Sequence, residues 1–504
     1  MSDPPTETEL KFLIAPEQVG DLLSHRLVKG RMKKVRLRSI YFDTPDNDLG
    51  KAGISLRVRS TGHAFVQTVK TTKAGASRRG EWESSVKREA VDHAALARTP
   101  AAEVLNGNAG SLLPIFSTTL ERRSRLVRYE GAQIEVSVDH GELSSEEASE
   151  PIEELELELK TGEISSLFGL AHELCRTTPI RLSFDSKAER GHRLKDGAAA
   201  DPRKAQSVEL SAAMSSMEAF QAIASACLAQ ITSNAELLRR IRRPEALHQL
   251  RIGLRRLRTA TSLFKTMLAD DECDTIGQAL KWLSGELDSA RDIEVFGNTT
   301  FLNATKESAT MGLPELGRHL LKAKRKAYDR ALAAVESERY ATLVLQVAAW
   351  IEAGAWTQGE NPVLAHLRSV PVTEHRIAAL DHLRHAVRKR GRTLERVDPK
   401  ARHKLRIRAK RLRYAIEFFS SLSAHHKREA KFLATLKTMQ DQLGELNDIV
   451  VARERLLIEG SLKDPAVAFT AGRAIGRRER DEPRLIHAAT KSYRAFDKAA
   501  PFWR

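Results

Sequence analysis

Charged residues alternate with apolar ones in several short segments of the first 160 residues. Near the N-terminus, Glu7, Glu9 and Lys11 are separated by Thr8 and Leu10. Successive side chains of a β-strand point to opposite faces of a sheet, so we expect the three charged groups to share one face. Carboxylate and ammonium groups on one strand face could bind a metal ion or a phosphate group.

The same alternation recurs downstream, where it sorts the charges by sign. One segment carries Glu154, Glu156 and Glu158 between leucines, and another carries Arg57 and Arg59. For any single strand, a charged face that meets water is the simpler interpretation. A solvated surface has no reason to sort charge by strand, whereas a barrel with a polar interior does. Its acidic strands would hold a divalent cation, and its basic strands would hold the phosphates that the cation bridges.

The type of ligand indicates the metal. Carboxylate oxygens are hard ligands, and no cluster of histidine or cysteine accompanies them, so the pattern favours Mg²⁺ or Mn²⁺ over zinc. The three cysteines, Cys175, Cys227 and Cys273, lie far apart and lack metal-ligand spacing. We interpret them as reduced thiols.

The order of these segments resembles a known family. Glu7-x-Glu9-x-Lys11 resembles the signature of the CYTH, or triphosphate tunnel metalloenzyme, superfamily. Further segments resemble successive strands of that family in the expected order, over about residues 1–195: 41–45, 56–59, 67–70, 79–83, 116–122, 135–141, 154–158 and 186–187. The resemblance implies an eight-stranded antiparallel tunnel that binds a triphosphate group lengthwise.

The resemblance also implies roles for individual residues. The metal ligands would be Glu7, Glu9, Asp139, Glu154, Glu156 and Glu158. The groups that bind phosphate oxygens would be Arg57, Arg59, Lys70, Arg79, Arg122 and Lys187. Lys11 and Tyr41 resemble the Lys–Tyr pair proposed as the catalytic base in some members. Two alternatives stay open, since Tyr41 could be a core aromatic and a neighbouring arginine could take the place of Arg122.

The positive charge of the protein lies mainly after residue 200. The chain of 504 residues has a net charge of +16, while residues 1–200 carry nearly equal numbers of acidic and basic residues. A surface with such an excess attracts polyanions, although it could also serve only solubility.

Two basic segments of this second part are copies of each other. Residues 248–258 recur at 403–413, and residues 280–293 recur in the same order at 436–449. Matched segments in the same order indicate a duplication. Helical spacing places the basic residues of each copy on one face: His248, Arg251, Arg255 and Arg258, and His403, Arg406, Lys410 and Arg413. No acidic residues lie between these cations, so they repel one another unless an anion binds. The alternative is that each basic face is simply exposed to water.

The two copies resemble the CHAD domain, over about residues 208–504. The resemblance implies a duplicated pair of four-helix bundles whose basic helices line a cleft for inorganic polyphosphate. Asn447 replaces the arginine that the first copy has at Arg291. Nucleic acid is a less suitable ligand, because few aromatic residues lie among the basic ones.

The sequence therefore predicts an α+β protein of several domains, since 504 residues are too many for one core. We expect an eight-stranded antiparallel β tunnel over 1–195, a linker over 196–207 and an all-α domain over 208–504. The helical domain would consist of repeats at about 208–355 and 370–504.

The predicted function is metal-dependent hydrolysis of inorganic triphosphate to pyrophosphate and phosphate, with Mg²⁺ or Mn²⁺, in a chain that also binds inorganic polyphosphate. Several alternatives remain open: hydrolysis of thiamine or nucleoside triphosphates, cyclisation of ATP, non-catalytic binding and targeting to polyphosphate, and binding of RNA. The N-terminus does not resemble a signal peptide and no segment has the length of a membrane span, so we expect a cytoplasmic protein that could associate with polyphosphate granules. The sequence leaves the oligomeric state open.

Overall fold

The chain divides by its internal contacts into two compact units. The computed structural model describes residues 6–62, 64–71, 78–107, 111–198, 201–268, 270–297, 313–359, 361–458 and 464–504. The first unit comprises the chain up to Lys204 together with Leu228–Ile241 and Ser337–Thr357. The second comprises Ala205–Cys227, Arg242–Glu336 and Gln358–Arg504.

An antiparallel sheet of nine strands forms the centre of the first unit. The strands are β1 (Thr6–Leu13), β2 (Lys33–Asp43), β3 (Ile54–Ser60), β4 (Phe65–Thr71), β5 (Arg78–Val86), β6 (Leu113–Tyr129), β7 (Ala132–Ser144), β8 (Ser149–Thr161) and β9 (Arg181–Ser183). They follow the order β5-β4-β3-β2-β6-β7-β8-β1-β9. One edge of β1 pairs with β8, and the other pairs with β5 at Thr6–Thr8 and with β9 at Lys11–Leu13. The sheet therefore closes on itself, which confirms the predicted antiparallel fold and adds β9 as a ninth strand.

Register brings the predicted charged faces together. β6 and β7 form a hairpin whose turn residues, Glu130 and Gly131, both have positive φ, 45° and 79°. Two such residues form the tight turn that matches the twist of antiparallel strands. From this turn the register places Asp139 opposite both Arg122 on β6 and Glu154 on β8. Opposed residues share a face, so these charges point to the inside of the closed sheet.

Six helices accompany the strands in sequence: α1 (Val19–Ser24), α2 (Asp48–Lys51), α3 (His93–Leu96), α4 (Ala101–Leu105), α5 (Ile164–Cys175) and α6 (Lys187–Lys195). Helix α6 packs on the inner face, where Leu194 joins a cluster with Leu37, Tyr41 and Phe116. Gly191 permits this close approach, because a Cβ added there would lie 2.2 Å from the Phe116 ring.

The described part of the chain after α6 is mainly helical, as predicted. Its helices are α7 (Ser216–Ile241), α8 (Pro244–Leu263), α9 (Asp271–Phe296), α10 (Leu313–Glu336), α11 (Glu338–Ala353), α12 (Pro362–Ser369), α13 (Val372–Gly391), α14 (Pro399–Phe418), α15 (His426–Ile458), α16 (Pro465–Arg480) and α17 (Glu482–Lys498). Proline opens α8 and α14, at a position where its missing N–H costs no helical hydrogen bond. None of the described helices is long and apolar enough to cross a membrane.

Two of these helical segments belong to the first unit. Helix α11 packs against α5 and β9, and its Trp350 is buried. The last part of α7 contributes Glu236, whose carboxylate pairs with Arg181 of β9 at 3.1 Å. The unit that contains the sheet is therefore assembled from three separate stretches of sequence.

Candidate functional site

Three carboxylates converge on the inner face of the sheet. Asp139 of β7 and Glu154 of β8 are fully buried, and Glu156 follows Glu154 on the same face of β8. Each offers an oxygen atom, and these oxygens lie within 4.8 Å of one another. Such a concentration of negative charge is stable only if cations lie close by.

Lys187, the first residue of α6, supplies the central cation. Its Nζ lies 2.9 Å from Asp139, 2.5 Å from Glu154 and 2.7 Å from Glu156. Burial alone would raise the pKa of each carboxyl group, but Lys187 and its neighbouring cations outweigh burial and hold all three pKa values below the ordinary range. The carboxylates in turn raise the pKa of Lys187, although it is buried. The cluster is therefore ionised at neutral pH.

Two arginines complete this network. The Nε and Nη2 atoms of Arg122 donate to both oxygens of Asp139, each at 2.7 Å, and Arg122 also contacts Glu156. Arg190 donates to Glu154 at 2.6 Å and to Glu150 at 2.8 Å. The sequence did not single out Arg190. The available signal was its spacing of three residues from Lys187, which places both residues on one side of a helix.

Basic strands lie across the inner face from the acidic ones. Arg57 and Arg59 project from β3, where Arg59 donates to the Ser39 hydroxyl at 3.2 Å. Tyr41 stacks on Phe116, with ring centroids 4.4 Å apart. Burial would raise the pKa of Tyr41, yet the charges of Arg57, Arg59 and Lys187 lower it below its ordinary value. The Tyr41 hydroxyl is therefore more acidic than that of an ordinary tyrosine.

The remaining predicted residues of the first unit have other partners. Glu7 pairs with Lys70 at 2.5 Å, and Lys70 also contacts Glu81 at 3.1 Å. Lys11 lies opposite Glu156 in the strand register, and Glu9 lies opposite Glu158.

Glu158 pairs with Lys160 at 2.5 Å. Burial is the main cause that raises the pKa of Glu158 above its ordinary value. The backbone of Arg79 pairs with Glu7, but its side chain lies outside the described residues.

The donor set fits a divalent cation. Asp139, Glu154 and Glu156 would hold such an ion, because their closely spaced carboxylate oxygens are the ligands that hard cations prefer. Among the residues that the structure describes, these three carboxylates form the group of acidic, histidine or cysteine side chains whose spacing suits a metal ion.

A second concentration of charge lies in the helical unit, where the two basic stripes approach each other. The charges of Arg251 and Arg255 on α8 act on Lys410 of α14 together with those of Arg406 and Arg413. Burial and the charges of these four arginines together lower the pKa of Lys410 to about 6, and burial has the largest effect. Burial, aided by nearby arginines and Lys410, lowers the pKa of His248 to about 4. We call this group of side chains on α8 and α14 the basic cleft.

Two predicted residues occupy other places on these helices. Arg258 is exposed and lies beside Arg411. Burial and the charge of Arg258 lower the pKa of Arg411. His403 is exposed and makes a hydrogen bond through Nδ1 to the side chain of Asn447.

Comparison with known proteins matches both parts of the chain. The model of the CYTH domain matches residues 5–192, and the model of the CHAD domain matches residues 222–457. A crystal structure of the CHAD domain from the plant Ricinus communis is 31% identical, with a TM-score of 0.52, and the match covers 60% of this chain and 98% of that one. The chain carries a CYTH domain and a CHAD domain.

A curated relative matches part of the chain. An inorganic triphosphatase of Haemophilus influenzae is 34% identical over 195 residues, which are 37% of this chain. The present chain spans 54% of the length of that relative. The buried carboxylates and Lys187 lie within the CYTH match, and the basic cleft lies within the CHAD match.

Proposed function

We propose that the CYTH domain hydrolyses inorganic triphosphate to pyrophosphate and phosphate with Mg²⁺ or Mn²⁺. The observation that carries this proposal is the inner face of the sheet, where Asp139, Glu154 and Glu156 meet Lys187. The named activity of the Haemophilus influenzae relative supports the same reaction. A divalent cation bound by the carboxylates would neutralise charge on the phosphates and polarise a phosphoryl oxygen.

The chain's own residues would bind and orient the substrate. We propose that Arg57, Arg59 and Arg122 bind the phosphate oxygens, together with Lys70, Arg79 and Lys187. For Arg79, the proposal is based on the sequence alone. Phosphoryl transfer depends largely on positioning and on neutralising charge, which a row of fixed cations provides. A water oxygen would bond to the terminal phosphorus as the anhydride P–O bond breaks, and pyrophosphate would leave.

Lys11 and Tyr41 are the proposed acceptors of the proton that this water loses. The lowered pKa of Tyr41 supports its part, because a more acidic phenol is deprotonated more often near neutral pH. Glu7, Glu9 and Glu158 remain proposed as further metal ligands.

Exchange of a single carboxylate tests the catalytic proposal. Glu156→Gln removes a charge with little change of shape, so phosphate release from triphosphate with Mg²⁺ or Mn²⁺ should fall at least about a hundredfold. Glu153→Gln is the matched control, because Glu153 lies on the opposite face of β8 and pairs with His140 at 2.5 Å. Equal activity of both variants, or full activity in EDTA, would contradict the proposal. Parallel assays with thiamine and nucleoside triphosphates test the substrate.

We also propose that the basic cleft binds inorganic polyphosphate. The crowding of Lys410 by four arginines supports this, because a bound polyanion would offset the repulsion among these cations. Retention of labelled long-chain polyphosphate by the full chain, with RNA as competitor, tests it. Displacement by RNA at equal phosphate concentration would favour the nucleic-acid alternative.

A further inference from the structure

Asp185 anchors the beginning of α6 through three side-chain donors. Ser233 Oγ and Arg203 Nη1 each lie 2.7 Å from Asp185 Oδ1, and Arg193 Nη2 lies 2.8 Å from Oδ2. Burial would raise the pKa of Asp185, but the two arginines and Ser233 lower it to about 2. The carboxylate is therefore charged and held in one orientation.

All three donors lie beyond the residues of the CYTH match, and Ser233 is the most distant in sequence. Ser233 belongs to α7, beyond the matched residues 5–192, yet within the same compact unit. Its neighbour Asn234 is fully buried and donates to the main-chain oxygen of Arg203 at 2.9 Å. Helix α7 therefore holds Asp185 both directly and through Arg203.

Asp185 is two residues from Lys187. Between them, Ser186 caps α6, since its hydroxyl accepts from the Glu189 N–H and the Glu189 side chain accepts from the Ser186 N–H. Lys187 is the first residue of the helix, so the placement of this first turn determines where its ammonium group lies. Lys11 also reaches this turn, as its Nζ lies 3.5 Å from the main-chain oxygen of Asp185.

We propose that Ser233 is a positioning residue for Lys187. By fixing the Asp185 carboxylate, it sets the first turn of α6 and with it the distances from the Lys187 ammonium to Asp139, Glu154 and Glu156. This inference rests on the proposed hydrolysis only for its effect on rate. Asp185 keeps two arginine partners in the absence of Ser233, so the fold should survive the loss of the hydroxyl.

The test combines a spectroscopic readout with kinetics on the full chain. Lys187 ammonium protons should exchange slowly with water because three carboxylates enclose them. In protein labelled with ¹⁵N-lysine, Lys187→Arg identifies the NMR signal. Ser233→Ala should speed the exchange of that signal and lower kcat for triphosphate about tenfold, with little change in the melting temperature. Ser233→Thr keeps the hydroxyl and should restore both values.

Ser225→Ala is the matched control on the same helix. The Ser225 hydroxyl is buried, and among the described residues it has no hydrogen-bond partner. The Ser225→Ala variant should therefore leave both the exchange rate of the Lys187 signal and kcat unchanged. An unchanged Lys187 signal in Ser233→Ala would overturn the positioning role. The wild type could hydrolyse no triphosphate while Ser233→Ala still speeds the exchange of the Lys187 signal. That result would support the positioning role and overturn the proposed function instead.

Discussion

At the site of Lys187, three buried carboxylates are in direct contact with three cations. Asp139, Glu154 and Glu156 face the cations Lys187, Arg122 and Arg190. Burying an unpaired charge is costly, so an incoming ion of one sign would disturb this balance. A divalent cation together with an anionic triphosphate would disturb it much less. This charge balance supports the proposal that triphosphate binds together with a divalent cation.

The sequence predicted much of this site because strand alternation fixes which side chains share a face. It placed Glu154 and Glu156 on one face, and the structure brings both to Asp139 and Lys187. Arg190 was missed because its contact with Glu154 requires α6 to pack inside the closed sheet. No local pattern specifies that packing, which depends on residues far apart in sequence.

Lys410 predicts a pH dependence of polyphosphate binding. Its pKa of about 6 leaves it mostly neutral at pH 7.5, whereas a bound polyanion stabilises the charged form and raises the pKa. Binding should therefore take up a proton, and affinity should fall as pH rises from about 6 to 8, by at most about tenfold per pH unit. Below pH 6 Lys410 is charged in both states, so this dependence should disappear. The charged or titratable groups that act with it are Arg251, Arg255, His248, Arg406, Arg413 and Asp448.

Calorimetry in buffers of different ionisation enthalpy measures this proton uptake. Lys410→Arg is the informative variant, because arginine stays charged throughout the range. It should flatten the pH dependence between 6 and 8. A variant that keeps the wild-type slope would assign the proton to another group.

At the scale of helices, the two basic stripes are not equivalent. Arg251 of α8 pairs with Asp288 of α9 at 2.6 Å. The duplication places Gly444 of α15 where the first copy has Asp288. Among the described residues, no carboxylate pairs with the matching Arg406 and its buried Nε has no hydrogen-bond partner, while among the buried nitrogens of Arg251 only Nη1 lacks a partner. Arg406 of α14 is therefore less neutralised than its counterpart Arg251 of α8, although Arg413 of the α14 stripe pairs with Glu417 at 3.4 Å. We expect Arg406 to make a larger contribution to anion binding than Arg251.

Restoring the missing carboxylate tests this asymmetry. A Cβ added at Gly444 would lie 3.9 Å from Arg406 Nε, so Gly444→Asp can be accommodated and can pair with Arg406. Polyphosphate affinity should fall about tenfold, the size expected for one hydrogen bond to a charged group. Gly277→Asp on α9 adds the same charge in open space and serves as the control. Equal losses in the two variants would indicate a general effect of net charge.

At the scale of the molecule, the last described strand, Arg181–Ser183, lies before residue 200 and helices follow it, but contacts cross that point. The unit that contains the sheet includes Leu228–Ile241 and Ser337–Thr357. Composition cannot reveal this, because α7 and α11 have the same helical pattern as the rest of the second part. Their assignment to one unit depends on packing against α5 and β9.

This assembly predicts that a fragment of residues 1–200 is less stable than the same residues in the full chain. The fragment lacks Trp350 of α11 and Glu236 of α7, which leaves one side of α5 without its packing partner and Arg181 without its ion pair. Exposing buried apolar surface costs ~25 cal/mol per Å², so losing a whole helix contact should lower the melting temperature clearly. Hydrogen exchange localises the effect: amides of Ile164–Cys175 should exchange faster in the fragment, while those of β6 and β7 keep their protection. Equal protection of α5 in the fragment and in the full chain would mean that the sheet and α5 form a stable unit without the two helical segments.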